Sequence, residues 1–415
     1  MVRGKQRFPD LLRFFKMTNG TDDSPSRLAN FLTPTSLDRF LSEYYDNVPL
    51  HVSADDAASD RQELMDSATV SALLRNTVHW PEPGLKLVAN GQSIASAHYH
   101  SLRELANGAQ QVPNADLIEG LMRMGATLII DGLEDRVPPL RRLCEALGRQ
   151  FAAKVGVNLY ASQSGVAGFA SHCDPHEVFA VQCEGEKVWR IYANRADRPV
   201  SGTILRDQQA IDRAKGPVAY EIRMQPGDLL YIPRGYYHDA LATGGSSLHL
   251  TFGVQPLYGL AIFDLLRDLA RNDTRIRAYF PSANDGSRLE QHLDQIAEIV
   301  ADLIRKPGLR EDIAVKQRLL AGRGSAEPTS SSDRIFSRTG LRAHVEQPSS
   351  GSVLVLGGKR EPAGFLSDAA HWALSQSSFT SFQIEARFAH HPRGEVNALL
   401  DLLLKHGAFV EQRPN

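Results

Sequence analysis

The run NLYASQSGVAGFASHCDPHEVFAVQCEGEKVWRIY, residues 158–192, decides the fold. Residues 157–160, 178–183 and 187–192 are short blocks of strand propensity, and Glu184-Gly185-Glu186 reads as a hairpin turn between the last two. His172-Cys173-Asp174 stands among them. In an extended chain, residues i and i+2 project from one face, so His172 and Asp174 point together while Cys173 points away. Such a tripeptide arises often by chance and alone reads as a polar pair. A metal reading needs a third ligand from another strand.

Downstream, residues 219–224, 229–232 and 248–254 also read as strands. Gly227-Asp228 opens one, and Gly244-Gly245 turns the chain before the last. That many short strands joined by tight turns indicate a small antiparallel sandwich or barrel. The segment LLYIPRGYYH, residues 229–238, returns the chain and ends in His238 just past a glycine bend. Two histidines and one aspartate occupy one side of an octahedral Fe(II), leaving three positions for a bidentate cosubstrate and dioxygen. Four protein ligands would instead indicate structural zinc. Lys187 alone reads as a surface lysine after a turn. Beside the three ligands it reads as the cation that receives the free carboxylate of a dicarboxylate cosubstrate, because an unpaired buried carboxylate is costly. His176 lies past Pro175, which breaks the strand, so it reads as a residue of the pocket mouth or surface rather than a ligand. His249 alternates with Thr251 and reads as a hydrogen-bonded core histidine, and Cys173 as packing behind the strand.

Around this core the chain is helical. Helices are expected from near Thr35 or Ser36, with Leu37, Phe40, Leu41 and Tyr44 on one face, and over residues 138–153, with Leu140, Leu143, Cys144 and Leu147 on one face. After Pro256 the apolar positions Leu260, Phe263, Leu266 and Leu269 repeat at helical spacing. Ser287 with Glu290 forms a capping-box pattern ahead of Leu293 and Ile296. Residues 1–30 read as a flexible amino terminus and 322–333 as a linker. Residues 334–415 read as an α+β unit, with a strand at 353–356 and a leucine-rich helix ending at Gly407.

Composition excludes several classes. A net charge of -2 gives no bulk reason to expect a polyanionic partner. Residues 333–415 carry nine Lys or Arg against eight Asp or Glu, without the basic stripe of a DNA reader. No run approaches the roughly 20 apolar residues that span a bilayer, and the amino terminus lacks a secretory signal. Three cysteines are too few and odd for a disulfide framework, which favours a cytoplasmic location.

The two long segments, residues 158–192 and 227–252 (GDLLYIPRGYYHDALATGGSSLHLTF), closely resemble the JmjC ribosomal oxygenases, a cupin subgroup of 2-oxoglutarate oxygenases. Phe40, Tyr44, Tyr45, Pro49 and Leu50 are similar to that family's amino-terminal pattern. The resemblance implies an α+β fold with a double-stranded β-helix over residues 31–255, a helical dimerisation region over 256–321 and a winged-helix-like domain over 334–415. It implies that His172, Asp174 and His238 bind Fe(II), that Lys187 binds the distal carboxylate of 2-oxoglutarate, and that Asn158, Tyr160 and Thr251 are further cosubstrate contacts. It implies O2-dependent hydroxylation of a protein side chain, Arg or His of a ribosomal protein, by a homodimer. Cys173 and Pro175 depart from the family's aromatic and acidic preferences beside the ligands, and Tyr45 from its usual tryptophan, which leaves the target less constrained than the metal site. Competing readings are an oxygenase acting on a peptide natural-product precursor, a metal-binding cupin of other chemistry, and a regulatory binding protein.

Overall fold

The computed structural model describes residues 24–412 apart from 57–59, 77–79, 81–83, 90, 106–107, 163–169, 272, 283, 322–333, 347–352, 363–365, 377 and 389–392. The linker expected at 322–333 lies outside the described residues. The chain divides into two compact units, Met1–Leu147 with Val155–Gln255, and Gly148–Lys154 with Pro256–Asn415.

Among the described residues the first unit has eleven strands: β1 (Leu50–Val52), β2 (Leu85–Ala89), β3 (Gln92–Ile94), β4 (His100–Leu105), β5 (Gly108–Pro113), β6 (Thr127–Ile130), β7 (Ala153–Ser162), β8 (Glu177–Arg195), β9 (Val218–Met224), β10 (Leu229–Ile232) and β11 (Tyr236–Pro256). Nine of them form one sheet in the order β1-β10-β8-β11-β7-β6-β2-β3, with β9 on β8. Strands far apart in sequence are thus neighbours, and the expected α+β class holds. Along β7, Val155, Val157, Leu159 and Ala161 are buried while Asn158 and Tyr160 face the other way, the alternation a two-faced strand requires.

The aromatic residues of the sheet anchor the amino-terminal helices. Phe40 meets Tyr231 edge-on with centroids 4.8 Å apart, and Phe31 lies 5.6 Å from Phe252. Leu28, Phe31 and Leu32 are buried in the helix Ser24–Leu32. Each such side chain removed from water contributes about 2 kcal/mol, so residues 24–30, expected to be flexible, are helical instead. Ser36 caps the next helix by accepting from the Arg39 amide, as its position suggests.

Glu184-Gly185-Glu186 is not a hairpin turn. β8 runs through it without a break: residues before Gly185 pair with β10, those after it pair with β9, and β11 spans both halves. Gly185 has φ +64°, and a Cβ there would stand 1.8 Å from the Ser246 carbonyl oxygen. Gly244-Gly245, read as a turn, falls instead in the register shift of β11 between Ala242 and Ser247, opposite that kink. Gly185→Ala is therefore expected to cost about 2 kcal/mol or more. The measurement is a lower denaturant midpoint at unchanged slope.

The second unit holds the helices Ala261–Ala270, Gly286–Arg305 and Pro307–Ala321. Leu266, Ile299 and Leu303 are buried among them, whereas Leu260, Phe263 and Leu293 stay exposed. The capping residue of the second helix is Asp285, which accepts from Arg288 N, and Ser287 lies inside the helix. Further on, two three-stranded sheets and the helices Ser367–Ser375, Ser381–Arg387 and Arg393–Lys405 close over a core that includes Phe336, Leu354, Leu400 and Phe409. Gly407 follows the last helix at φ +72°, as its place after the leucine-rich run suggests. Among the described residues no helix is long and apolar enough to cross a membrane.

Candidate metal centre

Residues 170–176 are not part of a regular strand, so the extended ladder assumed for His172-Cys173-Asp174 is reduced to two ties. His172 and His238 form an isolated antiparallel bridge, His172 N donating to His238 O at 3.0 Å and His238 N to His172 O at 2.8 Å. Gly235 N donates to Asp174 O at 2.9 Å. Gly235 has φ +88° and a Cβ there would stand 2.5 Å from the Ala196 oxygen, so only glycine lets the chain turn from β10 into β11 and present His238.

These ties bring the three residues together: ligand atoms of His172, Asp174 and His238 all lie within 4.8 Å of one another, the only such cluster among the described residues. An Asp174 oxygen stands 3.5 Å from His238 Nε2 and 4.0 Å from His172 Nε2. Each imidazole uses Nδ1 on a backbone carbonyl, His172 on Ala170 O and His238 on Tyr236 O, both at 3.0 Å. A carbonyl only accepts, so Nδ1 carries the proton and Nε2 presents its lone pair to the centre. Burial opposes charge on Asp174, but His176, His238 and His172 outweigh it and hold its pKa below the usual carboxylate range. Burial, aided by His172, pushes His238 down to about 4. At neutral pH the site therefore offers an anionic carboxylate and a neutral imidazole, the protonation states a dication needs.

Lys187 is buried, and burial alone pulls its pKa down to about 8. Among the described residues it forms no ion pair with a carboxylate. Trp189, two residues along the same face of β8, links it to the metal cluster: its ring is 5.9 Å from His238 and 5.6 Å from His249. Sequence reasoning passed over Trp189, although its period-two spacing from Lys187 was the available signal. His249 is buried as expected and lies parallel to Tyr160 at 4.9 Å, but its Nδ1 has no hydrogen-bond partner among the described residues. Burial first, then Lys187, holds it far below its ordinary pKa. Asn158 hydrogen-bonds the Tyr160 hydroxyl, whose pKa burial pushes up to about 12. Thr251, opposite Ala180, is half-buried.

His176 lies outside the triad, its Nδ1 3.2 Å from Glu177 O and its ring against Gly253, where a Cβ would stand 3.1 Å away. Cys173 packs behind the site with Tyr192, Ile211 and Tyr237.

Residues 134–260 match the family model for the JmjC domain. The chain is 28% identical over 271 residues to Ribosomal oxygenase 2 of Bos taurus, covering 62% of this chain and 55% of that protein. It is 26% identical over 234 residues to the bifunctional lysine-specific demethylase and histidyl-hydroxylase NO66 of Drosophila persimilis, covering 56% of this chain and 32% of that protein. The matched stretch thus spans roughly a third to just over half of these relatives' own length. Among solved structures, YcfD, a ribosomal oxygenase from Escherichia coli, superposes with a TM-score of 0.48 at 16% identity, covering 91% of this chain and 98% of that one.

Proposed function

We propose that this chain, which carries a JmjC domain and is similar to ribosomal oxygenases, is an Fe(II)- and 2-oxoglutarate-dependent oxygenase that hydroxylates a protein side chain. One observation carries the reading: Lys187, a buried cation with no carboxylate partner among the described residues, shares its strand face with a ring that touches the His172, Asp174 and His238 cluster. A buried charge left unpaired is unfavourable, and an arriving dicarboxylate would pair it.

The residues fit the groups the reading requires. His172, Asp174 and His238 would hold Fe(II) through one carboxylate and two neutral imidazole nitrogens, leaving other positions for cosubstrate and O2. When bound, iron would activate O2 as the oxidant with 2-oxoglutarate as co-reductant, one oxygen atom ending in succinate as CO2 leaves and the other in the hydroxylated C–H bond. The chain supplies the rest. Lys187 receives the distal carboxylate. Asn158, Tyr160 and Thr251 contact the cosubstrate, and the Trp189 ring, 5.9 Å from His238 and 5.6 Å from His249, walls its pocket on one side. The orphan His249 Nδ1 is a buried polar atom facing the same groups, and a hydrogen bond to a bound ligand would satisfy it.

The target we favour is Arg or His of a ribosomal protein, supported by the ribosomal oxygenase and histidyl-hydroxylase names of the relatives. Residues 31–255 form the oxygenase domain. Residues 256–321, with Leu260, Phe263 and Leu293 exposed, would join two copies as a homodimer. Residues 334–415 form a winged-helix-like domain that docks substrate protein rather than nucleic acid, since its charges nearly cancel. Three free buried cysteines fit a cytoplasmic location.

The test has two arms. Metal-loaded protein is titrated with 2-oxoglutarate, then incubated with cytoplasmic extract, Fe(II) and 2-oxoglutarate while peptides are searched for the mass gain of one oxygen atom. Metal-dependent binding with substrate-dependent succinate release is expected. Binding of 2-oxoglutarate that ignores the metal would refute the reading.

A further inference from the structure

On the reverse side of the His172–His238 bridge lies a second polar cluster outside the proposed chemistry. Ser171 and Asp239 are the next cross-strand pair beyond the His172–His238 bridge, so their side chains leave the opposite face. Ser171 Oγ donates to Asp239 Oδ2 at 2.7 Å, and the Tyr192 hydroxyl donates to the same oxygen at 2.6 Å. Arg190 Nε donates to the other oxygen, Oδ1, at 2.9 Å. Lys215 Nζ donates to Ser171 Oγ at 3.0 Å and to Asp212 at 2.7 Å. Ser171, Tyr192 and Asp239 are all buried. Burial opposes the Asp239 charge, but Arg190, Tyr192 and Ser171 outweigh it and hold its pKa low.

The position of this cluster gives it a purpose. The segment carrying His172 and Asp174 lacks a sheet ladder and is tied to its neighbours by the bridge and by Gly235. Among the described residues the bridge and the Gly235 bond are the segment's backbone ties, and a side-chain bond one residue before His172 and one after His238 adds a further point of attachment. We propose that Asp239 is a positioning residue for the metal centre, which by clamping Ser171 fixes the separation and orientation of His172 and His238. This rests on the metal reading of those histidines. Asp239 touches neither metal nor substrate; it acts through the backbone of its neighbours. Arg190 bonds the oxygen that Ser171 does not use, so it stabilises the carboxylate without setting the clamp.

The test compares Asp239→Asn, Ser171→Ala and Arg190→Gln in the full chain, using Co(II) as the probe. Its visible absorption reports ligand geometry, and a titration reports affinity; the thermal midpoint of the metal-free protein is measured alongside. Asp239→Asn and Ser171→Ala are expected to weaken Co(II) binding about tenfold or more and to shift the absorption bands. Arg190→Gln is expected to lower the midpoint while affinity and bands stay as in the parent. Should Asp239→Asn fail to fold, Ser171→Ala decides, since it removes one oxygen atom. Parent-like affinity and bands in the Ser171 and Asp239 variants would overturn the proposal, and so would an equal loss in Arg190→Gln, which would mark a general stability effect. A parent protein that fails to bind Co(II) would overturn the metal reading itself, and the positioning role with it.

Discussion

Asp174→Ala is expected to abolish 2-oxoglutarate turnover while leaving the fold intact. The carboxylate is the only anion in the cluster, 3.5 Å from His238 Nε2 and 4.0 Å from His172 Nε2. Its low pKa keeps it charged wherever His238, at about 4, is neutral. A dication bound by two neutral imidazoles alone loses both a ligand and its charge compensation. Changes one layer out from a metal already cost about 10- to 100-fold in affinity, so removing a ligand should cost at least about 100-fold. The fold is insulated because the backbone at this position, not the side chain, holds the segment through Gly235 N. Metal stoichiometry and succinate release measure the effect. Substrate-dependent succinate production at a parent-like rate in the variant would remove Asp174 from the site.

The site was legible in sequence because its chemistry needs few residues at short, regular spacings. His172 and Asp174 point together even without a ladder, since the i, i+2 rule depends on an extended backbone and not on a paired one. Lys187 was singled out for a related reason, that a dicarboxylate needs a cation, and the residue is buried without a carboxylate partner among the described residues. The misreadings arose where local sequence permits two outcomes and distant strands choose between them. Gly185 supplies positive φ for either a turn or a kink, and pairing with β9, β10 and β11 selects the kink. Ser287-Glu290 and Asp285 both satisfy capping rules, and Asp285 wins because its side chain reaches the Arg288 amide. The Ser171–Asp239 bond and the Tyr160–His249 stack join residues far apart in sequence, so no periodicity announces them. The amino-terminal helix was hidden by polar composition, because three buried residues, Leu28, Phe31 and Leu32, suffice to dock it.

Lys187→Met should separate binding from folding, moving the two in opposite directions. In the metal-free protein the buried ammonium has its pKa drawn down to about 8 from 10.5. The unfolded chain therefore holds more protons than the folded one between those values, and this group's contribution to stability rises with pH across that window. Below about pH 8 both states are charged and the folded state bears the full desolvation penalty. Methionine removes that penalty, so the metal-free variant is expected to be more stable than the parent at neutral pH, by at most roughly 3 kcal/mol. Chemical denaturation at neutral pH measures it. Cosubstrate binding responds the other way. Leaving the distal carboxylate buried without a cation costs about 3–5 kcal/mol, so 2-oxoglutarate affinity should fall by about 100-fold or more. The parent carries a matching pH signature. Below about pH 8 Lys187 is already charged and affinity is flat, whereas above it each bound dicarboxylate must take up a proton. Affinity should then decline by up to about tenfold per pH unit, and the decline should vanish in Lys187→Met. A parent whose affinity stays constant through that range, or a variant that binds as tightly, would show that the distal carboxylate rests elsewhere.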